Sequence, residues 1–116
     1  LEKEEADLAE QVRASMFVFE DIVTLDDTSI QRVLREVEIR DLALALKISS
    51  EEVTNIIYKN MSKRAAQTLK EDIEFMGPVR LVEAENAQQR IVSIIRALDE
   101  ANEIIIARGG DNIIVT

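Results

Sequence analysis

Chain-breaking residues are almost missing from this sequence, which has 3 Gly and 1 Pro in 116 residues. Frequent turns draw on Gly and Pro for their special backbone angles, so a chain this poor in both is expected to fold as packed helices with short connections. The core material points the same way. Hydrophobic residues make up 47% of the chain and aromatics only 3%, leaving Ile, Leu, Val and Ala to fill the interior. The expected fold is all-α: a small orthogonal helical bundle preceded by a linking helix and followed by a short extended C-terminal tail.

Charge narrows the function. Fourteen Lys+Arg stand against 23 Asp+Glu, a net charge of −9. Proteins that bind nucleic acid passively neutralise phosphates with Lys and Arg, so this surplus of acid argues against that class and against an anionic membrane surface. Cys and His are both absent. Disulfides, thiolate nucleophiles, imidazole bases and the usual zinc ligands are thereby removed, and most common hydrolytic machinery with them. No enzyme and no cofactor are expected. No apolar run approaches the roughly 20 residues that span a bilayer, and Leu1-Glu2-Lys3-Glu4-Glu5 lacks the order of a signal peptide. A soluble, cytoplasmic protein without membrane insertion is the expectation.

Along the chain, Leu8, Val12 and Met16 repeat four apart, a narrow apolar stripe on a helix that needs a partner. It runs into the apolar block Met16-Phe17-Val18-Phe19. Asp26 or Asp27 is expected to cap a helix burying Ile30, Val33, Leu34 and Val37. Residues 40–47 read as a short, largely buried helix. Ser49 with Glu52 forms the pattern of a capping box, opening a helix with Val53, Ile56 and Ile57 inward and Asn60 as a left-handed terminator. Ser62 caps the next helix, which ends at Gly77-Pro78. A long helix over 82–102 carries Ala84, Ala87, Ile91, Ile94, Ile95 and Leu98 at helical spacing. Ile104-Ile105-Ile106 and Ile113-Ile114-Val115 then read as two short extended stretches around a turn at Gly109-Gly110-Asp111-Asn112, or as an apolar tail that docks on a partner.

The helix from Ser62 to Met76 has charges in an unfavourable order. At about 100° per residue, Ala65, Ala66, Leu69, Ile73 and Met76 share the core side, with Arg64, Gln67, Glu71 and Glu74 opposite and Lys63, Lys70 and Asp72 on the flanks. Lys63 and Arg64 occupy the first turn, where the helix dipole favours acids, and Glu71, Asp72 and Glu74 the C-terminal half, where it favours bases. Each misplacement costs about 0.3–1 kcal/mol when exposed. The preceding helix has the favourable order, with Glu51 and Glu52 at its start and Lys59 at its end. A solvated face is the ordinary explanation of such charges; a ridge of mixed sign is also what electrostatic docking requires. Lys47 and Arg80 could extend it.

Five ordered motifs carry a resemblance: Met16-Phe17-Val18-Phe19, Asp27-Thr28-Ser29-Ile30-Gln31, Leu42-Ala43-Leu44-Ala45-Leu46-Lys47, Asn60-Met61-Ser62-Lys63-Arg64-Ala65-Ala66 and Gly77-Pro78-Val79-Arg80-Leu81. Together they resemble the C-terminal domain of the bacterial flagellar motor switch family FliG across essentially the whole chain. The resemblance implies residues 1–15 as the last helix of an armadillo-like segment, 16–19 as a hinge motif and 20–116 as the torque-bearing helical domain. It implies a rotor component without catalytic activity, at the cytoplasmic face of the inner membrane in the flagellar basal body. Its stator-interacting charges would be Lys47, Arg64, Glu71, Asp72 and Arg80, facing the cytoplasmic loop of the stator protein MotA. Met16, Phe17, Val18 and Phe19 would form the hinge about which the head reorients when rotation reverses. FliM, FliN and neighbouring FliG subunits in a ring are the further partners implied. Glu71 stands where many members carry Asp, and Ile48 departs from the Gly that commonly follows the Lys.

Other readings of single features are simpler. Gly109-Gly110 lacks the following Lys-Ser/Thr of a phosphate loop and reads as a turn. Glu83/Glu85 and Asp26/Asp27 could be cation ligands, but capping and dipole compensation account for them with less machinery. The competing class is an acidic helical binding module that senses divalent cations, unrelated to motility.

Overall fold

The structure is a computed structural model that describes residues 17–106. A 3₁₀ turn at Phe19–Thr24 is followed by α1 (Asp27–Glu36), α2 (Ile39–Leu46), α3 (Glu51–Lys59), α4 (Lys63–Met76) and α5 (Leu81–Glu100). All regular structure among the described residues is helical, in agreement with the expected all-α class. The expected linking helix over residues 1–15, Met16 of the hinge motif, and the tail beyond residue 106 lie outside the described residues. Ile104 to Ile106 form no strand.

Local hydrogen bonding sets the boundaries. Asp26 caps α1, its Oδ1 accepting from the Ser29 amide at 2.9 Å, and Ser62 Oγ accepts from the Ala65 amide at 3.1 Å at the start of α4. At α3 the cap is Ser50, not Ser49: Ser50 Oγ accepts from the Val53 amide at 3.3 Å. With Val53 three residues on there is no acid to reach back, so the expected box does not form. Ser49 belongs to the exit of α2, where its hydroxyl donates to the Leu46 carbonyl at 3.3 Å and shares a 2.9 Å hydrogen bond with Thr54 Oγ1. Ile48 needs no special backbone, because this exit contains no residue with positive φ.

Asn60 does not end α3 in the left-handed region; its φ is −96°. Its side chain is occupied elsewhere, donating to Asp27 Oδ1 at 3.2 Å and the Ile56 carbonyl at 2.9 Å while accepting from Gln31 Nε2 at 3.0 Å. The residue that does adopt left-handed φ (62°) is Asn102, after α5. There the Glu103 amide donates to the Leu98 carbonyl at 2.9 Å and the Asn102 amide to the Asp99 carbonyl at 3.0 Å, a Schellman closure. The turn sends Ile104 back into the core, 4% exposed. Gly77, with φ 63° and ψ −158°, holds a conformation essentially reserved for glycine, so the stop after α4 is built into its backbone.

The core is aliphatic, as its composition requires. Leu42, Ala43, Leu44, Ala45 and Leu46 of α2 are all buried. A helix can bury five consecutive residues only if neighbours cover it all round. α5 and α4 are its main cover. Ala84, Ala87, Ile91, Ile95 and Leu98 of α5 are buried as expected, Ile94 only partly. Polar ties fix the pair: Gln88 Nε2 donates to the Ala45 carbonyl at 3.0 Å and Arg90 pairs with Asp41 at 2.8 Å. In the block before the 3₁₀ turn, Phe17 and Phe19 are buried while Val18 between them is exposed, the alternation expected of extended backbone.

Candidate functional site

α4 is the helix that holds the candidate charges outward. Leu69 is its one fully buried side chain, with Ala65, Ala66, Ile73 and Met76 half-buried around it. This places the core side where the wheel expects it. Arg64, Gln67, Glu71 and Glu74 are exposed opposite, and Asp72 is half-buried on the flank. Gln67 Nε2 donates to Glu71 Oε2 at 3.2 Å, one turn apart, which steadies the carboxylate without neutralising it. Lys70 is turned away: its Nζ sits 5.1 Å from the centre of the Tyr58 ring on α3. Burial against this seam pushes the Tyr58 hydroxyl pKa up.

None of Lys47, Arg64, Glu71, Asp72 and Arg80 enters an ion pair among the described residues, which contain pairs at Arg32–Glu36, Arg32–Glu103, Lys59–Asp27 and Arg90–Asp41. Three of these four pairs join different elements, Arg32–Glu36 lying within α1. Arg32 joins α1 to the segment after α5, and the hydrogen bonds it donates to Glu36 and Glu103 raise its pKa further. Asp26 has its pKa lowered by the Ser29 hydrogen bonds it accepts. Asp26 and Asp27 are thus engaged in capping and in the contact with Lys59 and Asn60. Among the described residues no group of three or more Asp or Glu is placed to hold a metal ion.

Arg64 and Glu71 lie on one line of α4, about 20° apart on the wheel and about 10 Å apart along the axis. Asp72 sits about 100° round from Glu71, at the edge of a groove that it lines with Ile39, Arg40, Ala43, Phe75 and Met76. Lys47 closes α2, half-buried, and Arg80 is the exposed residue preceding α5. Both stand at the ends of other helices, with no hydrogen bond to the ridge among the described residues. The ridge proper is therefore Arg64, Glu71 and Asp72.

Sequence reasoning missed one residue here. Phe75 is 88% exposed. Its wheel angle is about 20° from that of Arg64, so the same projection that placed the charges assigns Phe75 to the solvent line.

Comparison with known proteins adds a family to this geometry. The family model described as "FliG C-terminal domain" matches residues 1–106. The chain is 62% identical over 116 residues to the flagellar motor switch protein FliG of Bacillus subtilis, covering 99% of this chain and 34% of that protein. It is 63% identical over 110 residues to FliG of Thermotoga maritima, covering 95% and 33%. The crystal structure of residues 116–343 of FliG from H. pylori superposes with a TM-score of 0.82 at 36% identity, covering 91% of this chain and 47% of that one. This chain thus spans about a third of the length of the curated relatives it matches. Sequence motifs, helical architecture and fold superposition agree over nearly the full length, and the chain belongs to the FliG C-terminal domain family.

Proposed function

We propose that this chain is the stator-facing head of the flagellar rotor, working at the cytoplasmic face of the inner membrane. Its α4 ridge meets the cytoplasmic loop of the stator protein MotA through Arg64, Glu71 and Asp72, with Lys47 and Arg80 at the margins. The observation that carries this reading is that none of these five charges enters an ion pair among the described residues, with Arg64 in the first turn of α4, where the helix dipole disfavours a cation. Exposed ion pairs are worth only about 0.2–1 kcal/mol each and are screened over about 8–10 Å. Such contacts form and release at each encounter without trapping the rotor. Torque generation is force transmission, so no catalytic group enters the mechanism.

Residues 16–19 act in this proposal as the joint between an armadillo-like helix over 1–15 and the head over 20–116. Burial of Phe17 and Phe19 beside the exposed Val18 gives the joint a firm seat on the head. Reorientation about it reverses rotation, and FliM, FliN and neighbouring FliG subunits complete the switch complex. The test is Arg64→Glu combined with Glu71→Lys or Asp72→Lys in the full-length protein. Flagella should assemble and fail to rotate; normal swimming would defeat the assignment.

A further inference from the structure

Phe75 stands outside the hydrophobic core. It is the most exposed of the large hydrophobic side chains among the described residues, 88% against 81% for Ile105 near the end of the described segment and 60% for Leu81. Its ring stands between two depressions. One is lined by Ile39, Arg40, Ala43, Asp72 and Met76, the other by Glu71 and Glu74. The first combines apolar side chains with Arg40 and Asp72, and in the second the ring stands beside two carboxylates.

The surroundings select the chemistry of what covers it. Three carboxylates, Glu71, Asp72 and Glu74, lie within four positions of the ring, and Lys70 on the same helix is turned toward Tyr58. Arg40 is the cation at the groove, on its far wall. A second copy of this chain would bring like charges together, whereas a cationic side chain gains from the carboxylates and from the face of the ring. We propose that Phe75 is the apolar anchor of this surface, seating an amphipathic basic helix whose apolar side chain covers the ring while its Lys or Arg residues reach Glu71, Asp72 and Glu74. The inference rests on α4 being the stator-facing surface and adds a contact that salt does not screen. An aromatic anchor among near-neutral polar contacts is the usual layout of a binding hot spot.

The test titrates the purified full-length switch protein carrying this chain with the stator's cytoplasmic loop at about 0.05 and 0.5 M NaCl, conditions that separate screened from unscreened contacts. Phe75→Ala should weaken binding about tenfold at both salt concentrations, and Phe75→Leu should retain most of the affinity. Glu71→Lys should weaken it mainly at low salt. Because Phe75 packs on little, Phe75→Ala should melt as the wild type does. Wild-type affinity in Phe75→Ala, with Glu71→Lys still impaired, would overturn the anchor and leave the charged ridge standing. A loop that binds none of the proteins would overturn the stator-facing reading itself. Sedimentation of the same samples supplies the remaining outcome: self-association of the wild type abolished by Phe75→Ala would make the occupant a second copy and overturn the basic-helix assignment.

Discussion

Exchanging the charges of Arg64 and Glu71 should stabilise the domain while stopping the motor. The double variant Arg64→Glu/Glu71→Lys keeps the net charge at −9. Arg64 is the second residue of α4, where the unpaired amides of the first turn carry partial positive charge. Replacing a cation there by an acid is worth about 0.5–1 kcal/mol. Glu71 is more than a turn from the C-terminal end at Met76, so the dipole adds little at that position. Loss of its 3.2 Å contact with Gln67 subtracts only about 0.2–0.5 kcal/mol, as is usual for exposed pairs one helical turn apart. The balance is a small gain. The two ranges leave about 0–0.8 kcal/mol, which for a domain of this size corresponds to a rise of up to about 6 °C in melting temperature. Circular dichroism melts at low salt should show it, and about 0.5 M NaCl should shrink it, because dipole interactions of surface charges are screened. A lower melting temperature at low salt would mean that Arg64 and Glu71 serve the fold, and would refute the argument that their order reflects docking. A gain unchanged by salt would refute its electrostatic origin.

Three further outcomes are expected. Asn102→Gly should leave stability within a few tenths of a kcal/mol, whereas Asn102→Val, forced into left-handed φ, should cost about 1–2 kcal/mol in urea titrations; equal stability of the two would sink the Schellman account. Asp26 has a lowered folded pKa, so its cap contributes fully above the unfolded carboxylate range and fades as pH falls through the folded value. Wild type should therefore lose stability relative to Asp26→Asn between about pH 5 and 2, and parallel pH profiles would contradict this. Phe17→Ala or Phe19→Ala in the full-length protein should alter the bias between rotation senses in tethered cells, and an unchanged bias would reduce both residues to core packing.

Much of the architecture was legible because it depends on local chemistry. Ser62, Gly77-Pro78 and the apolar spacing between them define α4 without reference to the rest of the molecule, and the wheel separated Leu69 from Arg64 and Glu71. The misassigned ends show what local chemistry leaves open. Ser49 and Ser50 are both good caps, and the choice between them rests on where the exit of α2 holds the Ser49 hydroxyl. Asn60 and Asn102 are both Asn residues at helix ends. Asn60 spends its side chain on Asp27 and Gln31 of a distant helix, whereas Asn102 is followed by an Ile that finds the core. No window of sequence contains those partners. Phe75 was legible in angle and overlooked because amphipathic reasoning sends apolar residues inward by type; its own position on the helix sends it outward. The five motifs point to the family without these contacts, and they include Asp27, Gln31 and Asn60, which the fold joins by side-chain hydrogen bonds.

The burial of α2 from Leu42 to Leu46 has a mechanical consequence. α4 rests chiefly on this eight-residue helix, and α2 in turn is tied to the 20-residue α5 by apolar packing and by Gln88 and Arg90. A load applied along the ridge therefore passes through a short keel of Leu and Ala into a beam about 30 Å long. Small side chains such as Ala43 and Ala45 leave little slack between the two members, and close-packed interiors yield little under compression. Pushing on Arg64 or Glu71 should move the helical bundle as one rigid piece, so that compliance is left to the joint proposed at residues 16–19.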